Sequence, residues 1–463
     1  EMATAALYQQ KFHEASTILA PYFEQQANQT FDVALDLAFS LYSEGLYFEA
    51  AKKYEIALAL RPDDFKVLND LGVVRTLLAQ YKDAEVLLDR SLDIMNGKLA
   101  PNDPEIATTW ANKGRLFRAL RRFDEARDAT DKASTIVMAN FGQDSARMYE
   151  SYNDYGDLYQ DQGNHLLAQR NYIKSLQLIE ANKTKVAQIE YLVVLMNLAS
   201  AERDSGELDR SAADFKRSLQ LADKLIANGT IRSDHPIVGS IHNEYYGVFE
   251  KRQQFDDAER EILQARDIWS KSLGENHPSF ATALNNLASN YVNTSRPALA
   301  LPLFQRVVSI HEKALGLEHP LTGNSFENLA SCYLELGLLS EAEPVFEKAL
   351  SILENKQGYE MTLASVHNNL GGLYTQSRKF DLAESHLLEA IKLREGVSGQ
   401  TLEYTKSLIN LGALYRIEKR FTEAEPLLRN ALNLRKTSPG IGTQAVVEAL
   451  AQLGGLFFVQ EKY

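Results

Sequence analysis

Two stretches of the chain decide its fold: residues 273–291 read LGENHPSFATALNNLASNY, and residues 315–333 read LGLEHPLTGNSFENLASCY. They begin 42 residues apart, and the dipeptide His-Pro recurs with the same spacing at residues 235–236, 277–278 and 319–320. A period of about 20–50 residues is the sequence signature of stacked repeats. The spacing therefore predicts a repeat solenoid, a class of fold that presents binding surfaces more often than active sites.

One unit of the repeat predicts two antiparallel helices. The apolar side chains from Leu284 to Tyr291 follow the i, i+3, i+4, i+7 spacing of one helix face. Residues 294–297 break this pattern, and a second apolar stripe begins at Ala300. A small residue on each helix would let the two cross closely, and a large residue, Phe304, would fill the gap between successive repeats.

The same frame recurs along the chain and predicts an all-α fold of ten full repeats with a half-repeat at each end. The repeats start near residues 31, 65, 107, 149, 192, 239, 281, 323, 364 and 405, so that residues 1–463 form a single solenoid with full repeats from 31 to 446. One irregular junction is expected near residues 227–246, where the step between repeats is longer. The small residue that opens the second helix is Ala50, Ala84, Ala126, Ala168, Ser211, Ala258, Ala300, Ala342, Ala383 and Ala424 in turn.

Residues 273–356 combine LGENHP at 273–278, Asn286-Leu287-Ala288 with Tyr291, and LGLEHP at 315–320. This combination resembles the tetratricopeptide repeats of kinesin light chains, and the likeness extends over roughly residues 65–460. The resemblance is to a class of repeat rather than to one protein. It implies a right-handed superhelical solenoid of helix-turn-helix tetratricopeptide repeats. It also implies that the first helices line a concave groove, which would hold an extended peptide.

Each His-Pro pair is predicted to begin a first helix. Proline suits the first helical position, and the residue before it is driven out of the helical conformation. Asp103-Pro104 stands at the same place in an earlier repeat, and either Asp or His can cap the helix there. Equally spaced histidines could also suggest a metal site, but zinc ligands must lie about 2 Å from one ion. Equivalent residues of packed helices are about 8–10 Å apart, so we predict no metal site.

The composition limits the partners and the compartment. The formal net charge is −13 and the pI is near 5.3, which argues against a nucleic-acid partner, because phosphates require a basic face. No apolar run approaches the roughly 18 residues that a membrane helix needs, so no membrane insertion is expected. The single cysteine, Cys332, is expected to serve core packing. A cytoplasmic location is the default expectation, and a removed signal peptide is the alternative because the chain starts at Glu1.

The sequence contains no catalytic constellation, so we expect neither enzymatic activity nor a cofactor. It has no G-x-S-x-G, H-E-x-x-H or paired C-x-x-C motif. The glycine pairs at residues 371–372 and 454–455 lack the Lys-Ser/Thr of a phosphate-binding loop, and we expect them to serve helix packing.

Amide side chains next to the recurring Leu-Gly or Leu-Ala pair provide the candidate binding site. A carboxamide offers two donors and an acceptor, so a ladder of amides could pair with the backbone of an extended peptide, while Arg416 holds a partner carboxylate. Alternatively, the amides hydrogen-bond the adjacent helix, and both roles stay open. Arg115 and Arg118 are expected to pair with acidic residues across the stack. The predicted groove residues are Asn285, Asn286, Ser289, Asn293, Asn328, Asn368, Asn369, Asn410 and Arg416.

The function that fits these features is a scaffold that binds a protein or an extended peptide in its concave groove. The alternative is a sensory or regulatory repeat arm of a larger protein, whose protease or nucleotide-switched effector domain lies outside these residues. The apolar positions from Leu453 to Phe458 have no second helix after them in the sequence. We therefore expect either a further covering helix or end-to-end self-association.

Overall fold

The helices of the chain follow one another in pairs, and the all-α prediction is confirmed. The computed structural model describes residues 12–25, 29–181, 188–356, 358–397, 401–438 and 441–460, and these residues form 22 α-helices and no strand. We call the first and second helix of each repeat helix A and helix B. One helix, Phe12–Phe23, precedes the ten pairs, and another, Thr443–Val459, follows them.

The bounds of the ten pairs lie close to the frame taken from the sequence. Helices A and B are Phe31–Ser43 and Tyr47–Leu60 in repeat 1, Phe65–Leu77 and Tyr81–Lys98 in repeat 2, Pro104–Ala119 and Phe123–Phe141 in repeat 3, Tyr149–Asp161 and His165–Ala181 in repeat 4, Gln188–Asp204 and Leu208–Ala227 in repeat 5, Pro236–Lys251 and Phe255–Ser272 in repeat 6, Pro278–Asn293 and Pro297–Ala314 in repeat 7, Pro320–Glu335 and Leu339–Leu353 in repeat 8, Glu360–Gln376 and Phe380–Arg394 in repeat 9, and Thr401–Ile417 and Phe421–Thr437 in repeat 10.

A residue in the left-handed conformation separates helix A from helix B in each pair. The amide after it bonds back into helix A, as from Leu46 N–H to Leu41 O at 2.9 Å, and this bond closes the helix end. Such turns favour glycine, yet only four of the ten residues are glycines. The backbone φ lies between 57° and 91° at Gly45, Ala79, Arg121, Gly163, Gly206, Gln253, Ser295, Gly337, Arg378 and Lys419.

The close crossing of the two helices follows from the small residues. The residue that opens helix B has 0% of its surface exposed in all ten repeats, from Ala50 to Ala424. The large residue four positions later clusters with the next repeat, as Leu88 does with Leu116. It also packs against the small residue of its own helix A, because a Cβ atom at Gly72 would lie 2.8 Å from Leu88 Cγ. The large residue therefore fills the gap between repeats and also sets the crossing within its own repeat.

Most of the longer repeats lengthen both of their helices. Helices A and B have 13 and 14 residues in repeat 1, but 16 and 19 residues in repeat 3. The extra residues therefore lie in both helices and not in helix B alone. Helix A gains length as well because Pro104 supplies a first helical residue ahead of the expected start.

The histidines of the His-Pro pairs cap helix A, as predicted. The Nδ1 atoms of His235, His277 and His319 each accept the backbone N–H two residues later, at 3.2, 3.1 and 3.2 Å. The carboxylate of Asp103 does the same for the N–H of Glu105 at 2.9 Å. Each cap satisfies one of the orphan N–H groups at the helix start.

The chain divides into two compact units, Glu1–Asn290 and Tyr291–Tyr463. Within the first unit, the long connection between repeats 5 and 6 is packed, because Ile231 is only 3% exposed. Tyr245, which stands where most repeats have leucine, stacks on Phe215 of the preceding repeat with ring centroids 5.4 Å apart. A single continuous solenoid over residues 1–463 stays a prediction.

Candidate functional site

All nine predicted groove residues lie on A helices, so successive repeats present them at related positions. Asn293 is exposed near the end of its helix, whereas the other eight are partly buried. The set is divided between the two units. The first unit contains Asn285, Asn286 and Ser289, and the second contains Asn293, Asn328, Asn368, Asn369, Asn410 and Arg416.

A recurring hydrogen bond joins amide side chains of neighbouring repeats, and we call this arrangement the amide ladder. In each pair, an amide Nδ2–H donates to the Oδ1 of an asparagine in the preceding repeat. The bonds run from Asn112 to Asn69 at 2.9 Å, from Asn197 to Asn153 at 3.2 Å, from Asn286 to Asn243 at 2.9 Å, and from Asn410 to Asn368 at 3.0 Å. Each ladder bond uses one N–H of the donating amide. In these four pairs the amides therefore hydrogen-bond the adjacent helix, which is the alternative role given above. A role toward a ligand stays a prediction.

In the second unit, an amide of the predicted site contacts a buried carboxyl group. Asn369 Nδ2–H donates to Ser331 Oγ at 3.0 Å and to Glu327 Oε1 at 3.3 Å, and Ser331 Oγ donates to the same oxygen at 3.0 Å. Burial raises the pKa of Glu327 to about 7, although the bonds from Ser331 and Asn369 act in the opposite direction. The sequence analysis missed Glu327. Glu327 stands 42 residues after Asn285, at the place where the preceding repeat has an amide, and this spacing was the available signal.

In the first unit, the predicted pairing of charges across the stack is confirmed. Arg115 Nε and Nη2 donate to the two carboxylate oxygens of Asp154 at 2.9 and 3.2 Å. Arg118 donates to Asp161 at 2.8 Å and to Asp157 at 2.5 Å. Burial raises the pKa of Asp154 to about 6, while Arg115 lowers it. These arginines are therefore held by carboxylates of the next repeat.

The first unit also has a cavity of about 460 Å³ that is lined by the A helices of repeats 5, 6 and 7. Its charged wall is already paired, because Arg203 Nη1 donates to Glu244 Oε2 at 2.9 Å and Arg203 Nε donates to Asp204 Oδ1 at 2.8 Å. Ser289 and Asn286 supply part of its neutral wall. The cavity thus presents neutral hydrogen-bonding groups beside charges that neutralise one another.

Arg118, Arg203 and Arg416 occupy the same position on their A helices, and their surroundings differ. The first two contact carboxylates of the next repeat, as described above. Where repeat 4 has Asp157, the helix after repeat 10 has Gly455, and a Cβ atom there would lie 3.3 Å from Arg416 Nη1. Within the described residues, Arg416 forms no ion pair, and its buried Nε has no hydrogen-bond acceptor. Arg416 is therefore an arginine of this position without a carboxylate partner among the described residues.

Two buried arginines hold adjacent repeats together in the second unit, and the sequence analysis did not select them. Arg394 is 2% exposed and donates to Ser407 Oγ and Ser365 Oγ, both at 2.8 Å. Arg435 is 1% exposed and donates to Thr405 Oγ1 at 2.8 Å. Their spacing of 41 residues near the end of helix B was the signal that could have identified them.

Searches for metal-binding and membrane-spanning features give negative results over the described part of the chain. No group of three or more His, Cys, Asp or Glu side chains there could hold a metal ion. No helix in the same residues is long and apolar enough to cross a membrane.

Comparison with known proteins agrees with the repeat frame. A family model described as a tetratricopeptide repeat matches residues 63–138, 239–308, 279–355 and 362–437, and a second tetratricopeptide model matches residues 149–182. No curated protein matches the chain.

Solved structures similar to the chain include kinesin-light-chain-like repeat proteins. BtubC (BKLC) from P. vanneervenii is 25% identical, with a TM-score of 0.42, over 51% of this chain and 93% of that protein. A putative kinesin light chain from Podospora anserina is 24% identical, with a TM-score of 0.37, over 46% of this chain and 98% of its own. Cut9–Hcn1 of the APC/C is 14% identical, with a TM-score of 0.39, over 100% of this chain and 94% of its own.

Proposed function

We propose that this chain, which belongs to the tetratricopeptide-repeat family, is a binding scaffold. In this proposal its second unit binds an extended, carboxylate-bearing polypeptide along its A helices. Tetratricopeptide repeats generally mediate protein–protein interaction, and the family is typically non-catalytic. In this proposal, Arg416 pairs with a carboxylate of the partner. The amides at Asn328, Asn369 and Asn410 hydrogen-bond the partner's backbone.

The observation that carries this proposal is the unmatched charge of Arg416. A buried guanidinium nitrogen without an acceptor is costly, and an arginine binds carboxylates through two parallel hydrogen bonds. Equivalent arginines in the first unit receive such oxygens from Asp157, Asp161 and Glu244 of the chain itself. Gly455 leaves this place without a side chain beside Arg416. A carboxylate from outside the chain would complete the same arrangement.

The amides support the backbone part of the proposal. The donating amide of each ladder pair uses one N–H for the neighbouring repeat, and a carboxamide has a second N–H and a carbonyl oxygen. Asn410 can therefore serve the stack through one N–H and a ligand through the other, whereas Asn369 would offer its carbonyl oxygen, because its amide nitrogen already donates to Ser331 and Glu327. Exposed Asn293 and the partly buried amides of repeats 8 to 10 lie on the same type of helix.

The test is a positional-scanning library of short fluorescent peptides, titrated against the full chain and against Arg416→Gln. We expect the full chain to select Asp or Glu at one peptide position. A hydrogen bond to a charged group contributes roughly 1.5–3 kcal/mol, so Arg416→Gln should weaken binding of the selected peptides about tenfold to a hundredfold. Neutral peptides should bind both proteins equally.

The matched control is Arg118→Gln, at the equivalent position in the first unit. This variant removes an arginine that is already paired, so it should leave the peptide preference unchanged while it lowers stability. A library that shows no acidic preference, or an acidic preference that survives in Arg416→Gln, would contradict the proposal.

A further inference from the structure

Within the first unit, the His-Pro turn of repeat 7 contacts the end of helix A of repeat 2. His277 Nε2–H donates to the carbonyl oxygen of Leu77 at 2.7 Å, although the two residues are 200 positions apart in the sequence. Leu77 is the last residue of its helix, where carbonyl groups lack partners inside the helix. The imidazole therefore satisfies an orphan carbonyl of a distant repeat.

A second contact of the same kind lies one repeat earlier. Burial lowers the pKa of His235, and the backbone of Ser43, the last residue of helix A of repeat 1, raises it, so the ring lies beside the end of that helix. The neighbouring turn leaves no spare room, because a Cβ atom at Gly45 would overlap Pro236 Cδ and would lie 3.2 Å from His235 Cδ2. Both His235 and Gly45 are buried.

The two contacts join the same elements with the same offset along the chain. In each, the histidine that begins a helix A meets the final residue of the helix A five repeats earlier: repeat 6 meets repeat 1, and repeat 7 meets repeat 2. A chance contact between distant loops would not recur with the same elements and the same offset. The regularity indicates that the first unit returns onto its own beginning.

The space that the first unit surrounds is lined by A helices. Partial burial raises the pKa of Tyr42 in repeat 1, and charged groups of four further repeats raise or lower it. These groups are Asp70, Arg115, Glu150 and Glu190, on the A helices of repeats 2, 3, 4 and 5. Side chains from the A helices of repeats 2 to 5 therefore act electrostatically on one tyrosine of repeat 1.

The hydrogen bonds of the His235 and His277 rings require the neutral form of each imidazole. Nδ1 of each ring accepts a backbone N–H of its own turn, so the proton is on Nε2, and Nε2–H of His277 donates to the Leu77 carbonyl. Protonation would place a second N–H at Nδ1, against the N–H of Ile237 or Ser279. It would also charge a ring that is buried.

We propose that His235 and His277 form a clasp that holds the first unit closed on itself at neutral pH, and that protonation of the two imidazoles releases it. The closed form restricts access to the interior that the A helices of repeats 1 to 5 line, and the open form exposes it. The clasp concerns the first unit alone and does not depend on the proposed site at Arg416.

The charged groups that face the clasp come from both repeats. Burial lowers the pKa of His235 to about 4, the Ser43 backbone and Asp234 raise it, and Arg232 lowers it. Arg232 pairs with Asp234 at 2.8 Å and lies near Glu44 and Glu49 of repeat 1, and Lys271 lies near Asp234. Burial also lowers the pKa of His277, against the effect of the Leu77 backbone.

The first test measures whether repeats 1 and 6 separate when the clasp is disturbed. Spin labels at Lys52→Cys and Arg260→Cys, both exposed positions on helices B, report the distance in the full chain with the buried cysteine replaced by Cys332→Ser. Gly45→Ala adds a methyl group that overlaps Pro236 and should give a second, longer distance. Gly163→Ala is the matched control, because Gly163 has a φ of 74° at the same turn position but nothing within 4 Å of its Cβ site. Equal distance distributions in the two variants would overturn the proposal.

The second test separates capping from clasping. Asparagine caps helices well, so His235→Asn with His277→Asn keeps the start of helix A but removes the ring N–H that reaches the distant carbonyl. We expect the long distance to dominate at pH 8. Asp103→Asn, a cap of repeat 3 outside the clasp, should leave the distance unchanged. A double variant that retains the short distance would show that the histidines do not hold the unit closed.

The third test follows the distance from pH 8 to pH 5 in the unsubstituted histidine background. With a pKa of about 4 when closed and an ordinary value near 6.5 when open, His235 alone should shift the equilibrium toward the open form about 30-fold at pH 5. The double asparagine variant should show no such pH dependence. An unchanged distance in the parent, or the same pH response in the variant, would overturn the role of the imidazoles.

Discussion

The two units use the same helix positions in opposite ways. On the A helices of repeats 3 and 4, charged residues pair across the stack, as Arg118 does with Asp157 and Asp161. On those of repeats 8 to 10, amides replace most of the charges, and Arg416 faces Gly455. The backbone frame is the same, so the difference lies in which side chains the next repeat supplies. A repeat surface is internally satisfied or open to a partner according to single residues at fixed positions.

The largest expected difference between the units comes from their equivalent arginines. Arg118→Met leaves Asp157 and Asp161 partly buried without their cation, and such a loss costs about 2–4 kcal/mol of unfolding free energy. Arg416→Met removes no ion pair and should cost less than about 1 kcal/mol. Urea denaturation of both variants checks this. Equal losses would show that Arg416 is held by the chain after all.

Glu327 and Asp154 both have a raised folded-state pKa, but replacing each by its amide should change the unfolding free energy in opposite directions. The folded-state pKa of Glu327 is raised to about 7 from 4.5, so the folded form binds more protons and the unfolding free energy falls as the pH rises through this window. Glu327→Gln keeps the acceptor oxygen and should stabilise the protein by about 1–2 kcal/mol at pH 8, but not at pH 4.

The matched variant in the first unit is Asp154→Asn. It leaves Arg115 without its carboxylate, so it should destabilise the protein at pH 8 by about 1–3 kcal/mol. Thermal melts of both variants between pH 4 and pH 8 provide the measurement. The contrast fails if both substitutions move the melting temperature in the same direction at pH 8.

Substitution of the amides tests whether the second unit binds a partner through them. Each amide bond contributes on the order of 1 kcal/mol, so Asn328→Ala with Asn369→Ala should weaken binding of a selected peptide roughly tenfold or more. Asn112→Ala, in the amide ladder of the first unit, should leave that binding unchanged. Melts and titrations of both proteins are needed. A collapsed melting temperature in the double variant would make these amides structural, and unchanged affinity would contradict the groove assignment.

The smallest expected effect concerns the turns between helices A and B. Three of the four turns in the second unit place a side chain at positive φ, at Ser295, Arg378 and Lys419. A left-handed residue with a Cβ costs roughly 1–2 kcal/mol, and glycine loses more entropy on folding, so Arg378→Gly should stabilise by only about 0.5 kcal/mol. Gly163→Ala in the first unit should have the reverse effect. Chemical denaturation measures the unfolding free energy of the two variants. A change of the same sign in both would contradict the prediction.

Much of the fold was predictable because each position of the repeat occurs many times in the sequence. Ten buried small residues, from Ala50 to Ala424, make the frame visible even where single positions such as Tyr245 depart from it. The candidate site was less predictable. A sequence shows that Asn369 lies on helix A, but not that it contacts Glu327, which is 42 residues away. It likewise cannot show that the positions of Asp157 and Gly455 decide whether an arginine is paired.

The sequence by itself determined the all-α class, the helix pairs and the His-Pro caps, because helical periodicity, small-residue spacing and capping are local properties. Only the tertiary structure decided that His277 reaches Leu77 across 200 residues and that Arg416 has no carboxylate partner among the described residues. Such contacts depend on small rotations between successive repeats. These rotations add along the stack, and no single repeat encodes their sum.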